Sequence, residues 1–409
     1  MSQFQFPTIP KKPGVLHIPG VSGGKIHPRP EKAAKLGQAL PSPKSPTAKG
    51  PWGKLEQFPF FLEAPLHLLE RFPLPNPKTR WFVNSSEASQ VLDRMARAGL
   101  PQEILQVINQ PANRAFIGDQ IVFFPPPVAL LKLEPATRAA IYRELRRFPA
   151  NVDIVGPVII ANNDVDSWFA GAGLRPELIS TIKQMSYPRG EALAFSDVSA
   201  LMAFVDGEAE ARNVVSVLTR TRTLMLKLQL EDDSRLNEIS GFWGAKQAGS
   251  SRNVVPLLQS MMRTHAGEKL DATHLLPPIP RKLLYAYPDL SMVADGEMPD
   301  CHWTSLNFFK SQPEPVFLDA RLASAVISDR YEAIRSPYKF GDILVFIDNA
   351  LGTVFHSCVY VADDVVFTKN GRNLLSPWVF QTMDHVRKTY LFDNNGRIQG
   401  YRMKETPAR

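Results

Sequence analysis

Pro299-Asp300-Cys301-His302-Trp303-Thr304-Ser305-Leu306-Asn307-Phe308-Phe309 is the stretch from which the rest of the chain is read. It places a cysteine at the first turn of an amphipathic helix. Trp303, Leu306 and Phe309 fall on one side, with Thr304, Ser305 and Lys310 elsewhere. A helix start presents unpaired N–H groups and the positive end of the dipole, both of which favour a thiolate. A buried, inert thiol is the competing reading of Cys301. The polar neighbours Asp300, His302 and Asn307 argue against it.

Downstream, Phe340-Gly341-Asp342-Ile343-Leu344-Val345-Phe346 and His356-Ser357-Cys358-Val359-Tyr360-Val361 predict two strands joined by a turn, the second opening with a histidine. A thiol at a helix start facing a strand histidine is the pairing used in nucleophilic acyl transfer. His356 alternates with Cys358 and Tyr360 on one strand face. Cys358 reads as a buried thiol, with a redox lock to Cys301 as its alternative.

A third group is needed to hold the imidazole in one tautomer. Val365-Val366-Phe367-Thr368-Lys369-Asn370-Gly371 offers Asn370, whose amide oxygen can accept an imidazole N–H, with Thr368 as competitor on the same face. Asn370-Gly371 also reads simply as a turn. His302 is a second candidate base, but neighbouring helical side chains point apart.

Working outward, residues 291–409 read as an α+β domain. Helices are expected at 301–310 and 318–335. Strands are expected at 342–347, 355–361 and 364–368, with a turn at Asp363-Asp364. A later strand over Thr389 to Leu391 precedes an Asn394-Asn395-Gly396 turn.

Asp300-Cys301, then Gly341-Asp342-Ile343-Leu344-Val345-Phe346, then His356 with Val359-Tyr360-Val361, resembles the NlpC family of papain-like cysteine peptidases. The resemblance covers residues 295–375. It implies a papain-like fold, a nucleophile at Cys301, a base at His356 and a polar group one strand later, near Thr368. Asp300 matches the family acid that binds a substrate's free amino group. The activity implied is amide-bond hydrolysis on peptidoglycan peptides, without metal or cofactor. An inactive wall-peptide binder and a Cys–His acyltransferase are the alternatives. The chain departs from the family around the nucleophile, with Pro299 in place of Tyr and His302-Trp303 in place of Ser-Gly. Asp342 is expected to organise the turn into its strand.

Residues 59–290 read as a mainly helical accessory domain. Ser85 opens one helical pattern, Pro135 a second and Ser196-Asp197 a third, and Ala209 to Leu230 reads as a fourth. Ile154 to Ala161 is an extended apolar segment. Residues 1–58 read as a disordered, Pro-rich arm holding nine basic side chains against two acids. Its net charge of +7 equals that of the whole 409-residue chain. Such an arm suits an anionic polymer. It lacks the basic and aromatic interleaving of a nucleic-acid groove, so no nucleic acid is expected.

Two cysteines exclude a disulfide scaffold. No apolar run reaches transmembrane length, and the first 30 residues hold no signal-peptide stretch. The resemblance points to the cell envelope and the missing leader points inside, so the compartment stays open.

Overall fold

The computed structural model describes residues 47–230, 235–244, 250–264, 269–289, 291, 298–393 and 396–404. Most of the basic arm lies outside the described residues, as does the Asn394-Asn395 turn. The fold is α+β, with helices and antiparallel sheets throughout.

The sheet that carries the histidine has six strands. In spatial order they are Tyr331–Ile334, Gly396–Met403, Ile343–Asp348, Val354–Ala362, Val365–Lys369 and Trp378–Thr382. Helix Cys301–Leu306 packs on Val354–Ala362 and Val365–Lys369. Trp303, Leu306 and Phe308 enter a core with Val359, Val361, Phe367, Trp378 and Phe380. Trp378 Nε1–H donates to Thr304 Oγ1 at 2.9 Å, which fixes the helix over the sheet. Gly341 has φ +86°, and a Cβ there would stand 2.0 Å from the Phe309 ring. Glycine at 341 is therefore required by both backbone and packing. Asp342 accepts from Lys339 N at 2.6 Å and takes both edge N–H groups of Arg402, so it organises the turn, as expected.

Several expectations need correction. Helix 301–310 ends at Leu306, and 318–335 divides into helix Ala320–Arg330 and strand Tyr331–Ile334. Thr389 and Tyr390 belong to the end of helix Met383–Tyr390, while the last strand is Gly396–Met403. Ala209 to Leu230 is not one helix: Gly207–Thr219 is helical and Thr221–Gln229 is a strand. Leu224, Leu226 and Leu228 are buried between Met225, Lys227 and Gln229, a period-two pattern hidden in a Leu-rich run. Ile154 to Ala161 divides too, with helix Val152–Val155 ahead of strand Val158–Ile160.

Strand Thr221–Gln229 pairs with Gly53–Leu62 from Thr221↔Leu62 to Gln229↔Lys54. The end of the proline-rich arm is thus a folded hairpin, Thr47–Gly50 against Gly53–Leu62. Phe58, Phe60 and Leu55 in this segment supply the apolar surface that the arm further upstream lacks.

The cores also divide differently from the expected boundary at residue 290. One cluster runs from Phe61 to Leu218, with Leu375 added. A second joins Leu55 and Leu224 to Leu284 with Trp303, Phe308 and the six-stranded sheet. The first half contains two three-stranded sheets beside its helices, so it is not purely helical. Among the described residues no helix is long and apolar enough to cross a membrane.

Candidate active site

Asp300 caps the helix that carries Cys301. Its Oδ1 accepts from the backbone N–H of His302 and Trp303, both at 2.9 Å, and its carbonyl accepts from Thr304 N at 3.0 Å. The cap takes the His302 and Trp303 N–H groups and leaves that of Cys301, the first residue of the helix. Asp300 Oδ2 accepts from Arg372 Nε at 3.0 Å. The Asp300 side chain is 12% exposed and both its oxygens are engaged, so it caps the helix and pairs with Arg372. A substrate amine, the partner expected for Asp300, would compete with Arg372 for Oδ2.

Two imidazoles flank the Cys301 thiol. His356 sits on strand Val354–Ala362 and His302 follows Cys301 on the helix. His302 Nδ1 lies 3.0 Å from Ser357 Oγ, which itself lies 3.0 Å from Ser305 Oγ. This anchorage to the histidine strand draws the His302 ring back toward the thiol. The expectation that His302 points away is overturned.

Burial opposes charge on Cys301, but the charges and hydrogen bonds of His302 and His356 outweigh it and hold the thiol well below its ordinary range. Burial also works against the His302 imidazolium, yet the charge and hydrogen bond of Cys301 and the charge of Asp300 raise it overall. His356 goes the other way: burial outweighs the attraction of Cys301 and lowers it. The three groups are thus pushed in different directions: Cys301 and His356 down, His302 up. The six-residue helix has a small dipole of its own. The imidazoles, more than the helix start, make the thiolate.

Thr368, rather than Asn370, is the side chain at hydrogen-bond distance from the His356 ring. Thr368 Oγ1 lies 3.2 Å from His356 Nε2 and donates its own proton to Ser357 O at 3.4 Å. A hydroxyl that has spent its proton accepts the Nε2–H. That tautomer leaves Nδ1 of His356 for the thiol. Asn370 is one step removed: its Nδ2 donates to Gln381 Oε1 at 3.3 Å, and its Oδ1 accepts from the Tyr390 hydroxyl at 3.2 Å. Tyr390 in turn stacks flat on His356, with ring centroids 3.9 Å apart. Asn370 positions the stacking ring rather than the imidazole N–H.

Lys369 is fully buried. Its Nζ donates to Gly371 O at 2.7 Å and Asn373 O at 3.0 Å, tying down the turn that carries Arg372. Burial pulls this amine down to about 7, against the charges of Asp300 and Cys301. Cys358 is buried, and burial followed by the Cys301 charge pushes its thiol up, so it is an inert neighbour. Both cysteines are free.

His302 was visible in the sequence as a candidate. Tyr390, Ser357 and Arg372 carried no signal, because they reach the thiol's surroundings only through the sheet and the turn. Among the described residues, no group of three or more His, Cys, Asp or Glu side chains forms a metal-holding cluster.

No family model matches this chain, and no curated protein and no solved structure matches it either.

Proposed function

We propose that this chain is a cysteine hydrolase that cleaves amide bonds through an acyl-enzyme, with a papain-like arrangement of the NlpC type. One observation carries the reading. Cys301 stands between two imidazoles whose proton affinities are pushed apart, and one of the two is held in a single tautomer by Thr368. Pairs of titratable groups driven apart by their surroundings mark acid and base roles.

In this mechanism Cys301 Sγ attacks the amide carbonyl. The Cys301 backbone N–H is the helix-start donor for the oxyanion. The protonated imidazole gives its proton to the leaving amine as the C–N bond breaks. Neutral His356 then takes a proton from the water that opens the thioester, returning the thiol and releasing the acid. Peptidoglycan peptides are the substrate class the sequence resemblance implies. With Asp300 bound to Arg372, the proposal does not require a free amino group on the substrate.

A second reading rests on the 6% exposure of Cys301. A covered thiol suits a domain that binds a wall peptide without cutting it. Iodoacetamide alkylation across pH separates the two. A hydrolase shows fast alkylation at Cys301 with a midpoint well below about 8.5, moved upward by His302→Ala. Slow alkylation with an ordinary midpoint, indifferent to either histidine, sinks the hydrolase reading and leaves the binder.

A further inference from the structure

A second feature, independent of Cys301, lies where the two cores meet. Arg220 ends helix Gly207–Thr219, and Arg222 follows it by two residues on strand Thr221–Gln229, which places both on one side of an extended backbone. Arg220 is 6% exposed. Its guanidinium lies 4.0 Å above the Phe61 ring and 5.8 Å from that of Phe169, so aromatic faces fix its plane. Phe61 is in turn held edge-on by Trp168, centroids 5.0 Å apart.

Three buried donors are without an acceptor there. Arg220 Nε and Nη2 and Trp168 Nε1 have no hydrogen-bond partner among the described residues. All three only donate, so each calls for an acceptor. Glu63, exposed at the end of the neighbouring strand, acts on Arg220 through charge, with no hydrogen bond between them among the described residues. Burial pulls Arg220 down to about 10 in spite of Glu63, as expected where no carboxylate is seated on the fork.

Arg220 and Trp168 line a cavity of about 30 Å³ together with Asn373, Ser376 and Gln381 from the C-terminal part of the chain. Arg222, Gln381 and His385 also line an adjoining cavity of about 170 Å³, flanked by Leu224, Phe380 and Lys388. Asp384, the acid on its lining, is paired with Lys388 at 2.8 Å. The smaller space suits a carboxylate head, and the larger one has room for the body of a small acid.

The chemistry of the missing partner can be read from the protein itself. Arg402 grips Asp342 through Nε and Nη2, at 2.8 and 2.6 Å. Arg175 grips Glu210 through the same edge, at 2.6 and 2.9 Å. Arg220 lines the smaller cavity, and among the described residues no acceptor is seated on its own Nε–Nη2 edge. A carboxylate accepts two parallel N–H bonds from this edge, which gives both strength and orientation.

We propose that the junction between the two cores binds the carboxylate of a small organic acid, held side-on by Arg220 with Trp168 Nε1–H as third donor and Arg222 beside it. The body of the acid extends into the larger cavity, against Leu224 and Phe380. The site is separate from Cys301, although Asn373 links its wall to Lys369 and so to the turn bearing Arg372.

Calorimetric titration of the full chain with glutarate at fixed ionic strength tests the proposal, with acetate and inorganic phosphate as companions. Saturable binding of glutarate at one site is expected, with acetate weaker. Arg220→Gln should weaken glutarate binding by at least 10-fold. Should that variant fail to fold, Trp168→Phe removes one donor and should weaken binding about 3-fold or more. Absence of saturable heat for either acid overturns the proposal and leaves the donors to water. So does unchanged affinity in both variants. Phosphate binding as tightly as glutarate overturns the assignment to a carboxylate.

Discussion

Each half of the molecule buries a cluster of polar groups, and the two are built to opposite ends. In the first half, Arg138 is fully buried and binds Asp197, whose other oxygen takes the Tyr142 hydroxyl. Charge and countercharge face each other: the Arg138 guanidinium is more firmly protonated than usual in spite of its burial, while burial raises Asp197 against the pull of Arg138 and Tyr142. Neither charge of the Arg138–Asp197 pair stands without the other. In the second half, Cys301 sits between His302 and His356, with burial, charge and hydrogen bonds pushing the three in different directions. The contrast shows that burial of polar groups alone is no mark of a site. A cluster whose charges cancel holds a fold together, whereas one whose protons are poised between neighbours is prepared for chemistry.

Substitutions can break this contrast. The largest effect is expected from Cys301→Ala. Amide hydrolysis should fall on the order of 10³-fold or more, while the urea midpoint stays near that of the parent. Retained turnover would place Cys301 with the structural cluster. The reverse pattern is expected at Asp197. Asp197→Ala leaves Arg138 buried without its countercharge and should cost about 3–5 kcal/mol in urea unfolding. Alkylation of Cys301 in whatever fraction remains folded should keep its parental midpoint. A stability change below about 1 kcal/mol would show that the Arg138 cluster is not the closed pair described.

Lys369 sharpens the comparison through pH. Its amine is pulled to about 7 in the fold and returns to an ordinary value of about 10.4 on unfolding. Between these limits the unfolded chain binds a proton that the folded chain does not. Stability from this group is therefore fully present above about 10.4, falls as pH drops through the window, and is lost below about 7. The parent should gain on the order of 4 kcal/mol from pH 7 to 10 through Lys369, and Lys369→Met should lack that slope. Parallel pH profiles for parent and variant would refute the buried, neutral lysine.

A smaller change is expected from His302→Ala. Loss of the imidazolium beside the thiolate should raise the alkylation midpoint of Cys301 by about one unit or more, while His356→Ala should cost more turnover than alkylation. Equal effects from both would mean the two rings do not divide the work.

How far the sequence could be read follows from where the information sits. The Cys301 helix, the Gly341-Asp342 turn and the His356 strand are local patterns, and each formed at the expected place, although the helix stops at Leu306. Asp363 at φ 55° made the turn expected between two strands. Strand Thr221–Gln229 was missed because a Leu-rich run satisfies a helical face as readily as a sheet face. Only its pairing with Gly53–Leu62 decides between them. That pairing also pulled the end of the arm into the fold. At the site, Asn370 and Thr368 lie on the same strand face, and alternation cannot choose between them. The choice is made by Tyr390, which arrives from a later helix, stacks on His356 and takes the Asn370 oxygen. Capping by Asp300 was not read in the sequence, and its engagement by Arg372 depends on a turn held by buried Lys369, which has no sequence signature.

The finest test concerns Thr368. Its hydroxyl accepts from His356 Nε2 and donates to Ser357 O, so one atom sets the tautomer that presents Nδ1 to the thiol. Thr368→Val keeps the shape and removes both bonds. The loss is about that of a single buried hydrogen bond, near 1 kcal/mol in stability, with turnover falling about 10-fold. A merely structural role would lower stability and leave kcat, per folded molecule, untouched. A tautomer-setting role lowers kcat with little change in KM and moves the acid limb of the pH profile, because His356 then exchanges its proton between both nitrogens. Thr368→Asn offers an amide oxygen at the same place and should recover part of the rate. Were Thr368→Val fully active with an unchanged pH profile, the imidazole would be oriented by the Tyr390 stack alone, and Asn370, which holds that ring, would become the residue to mutate next.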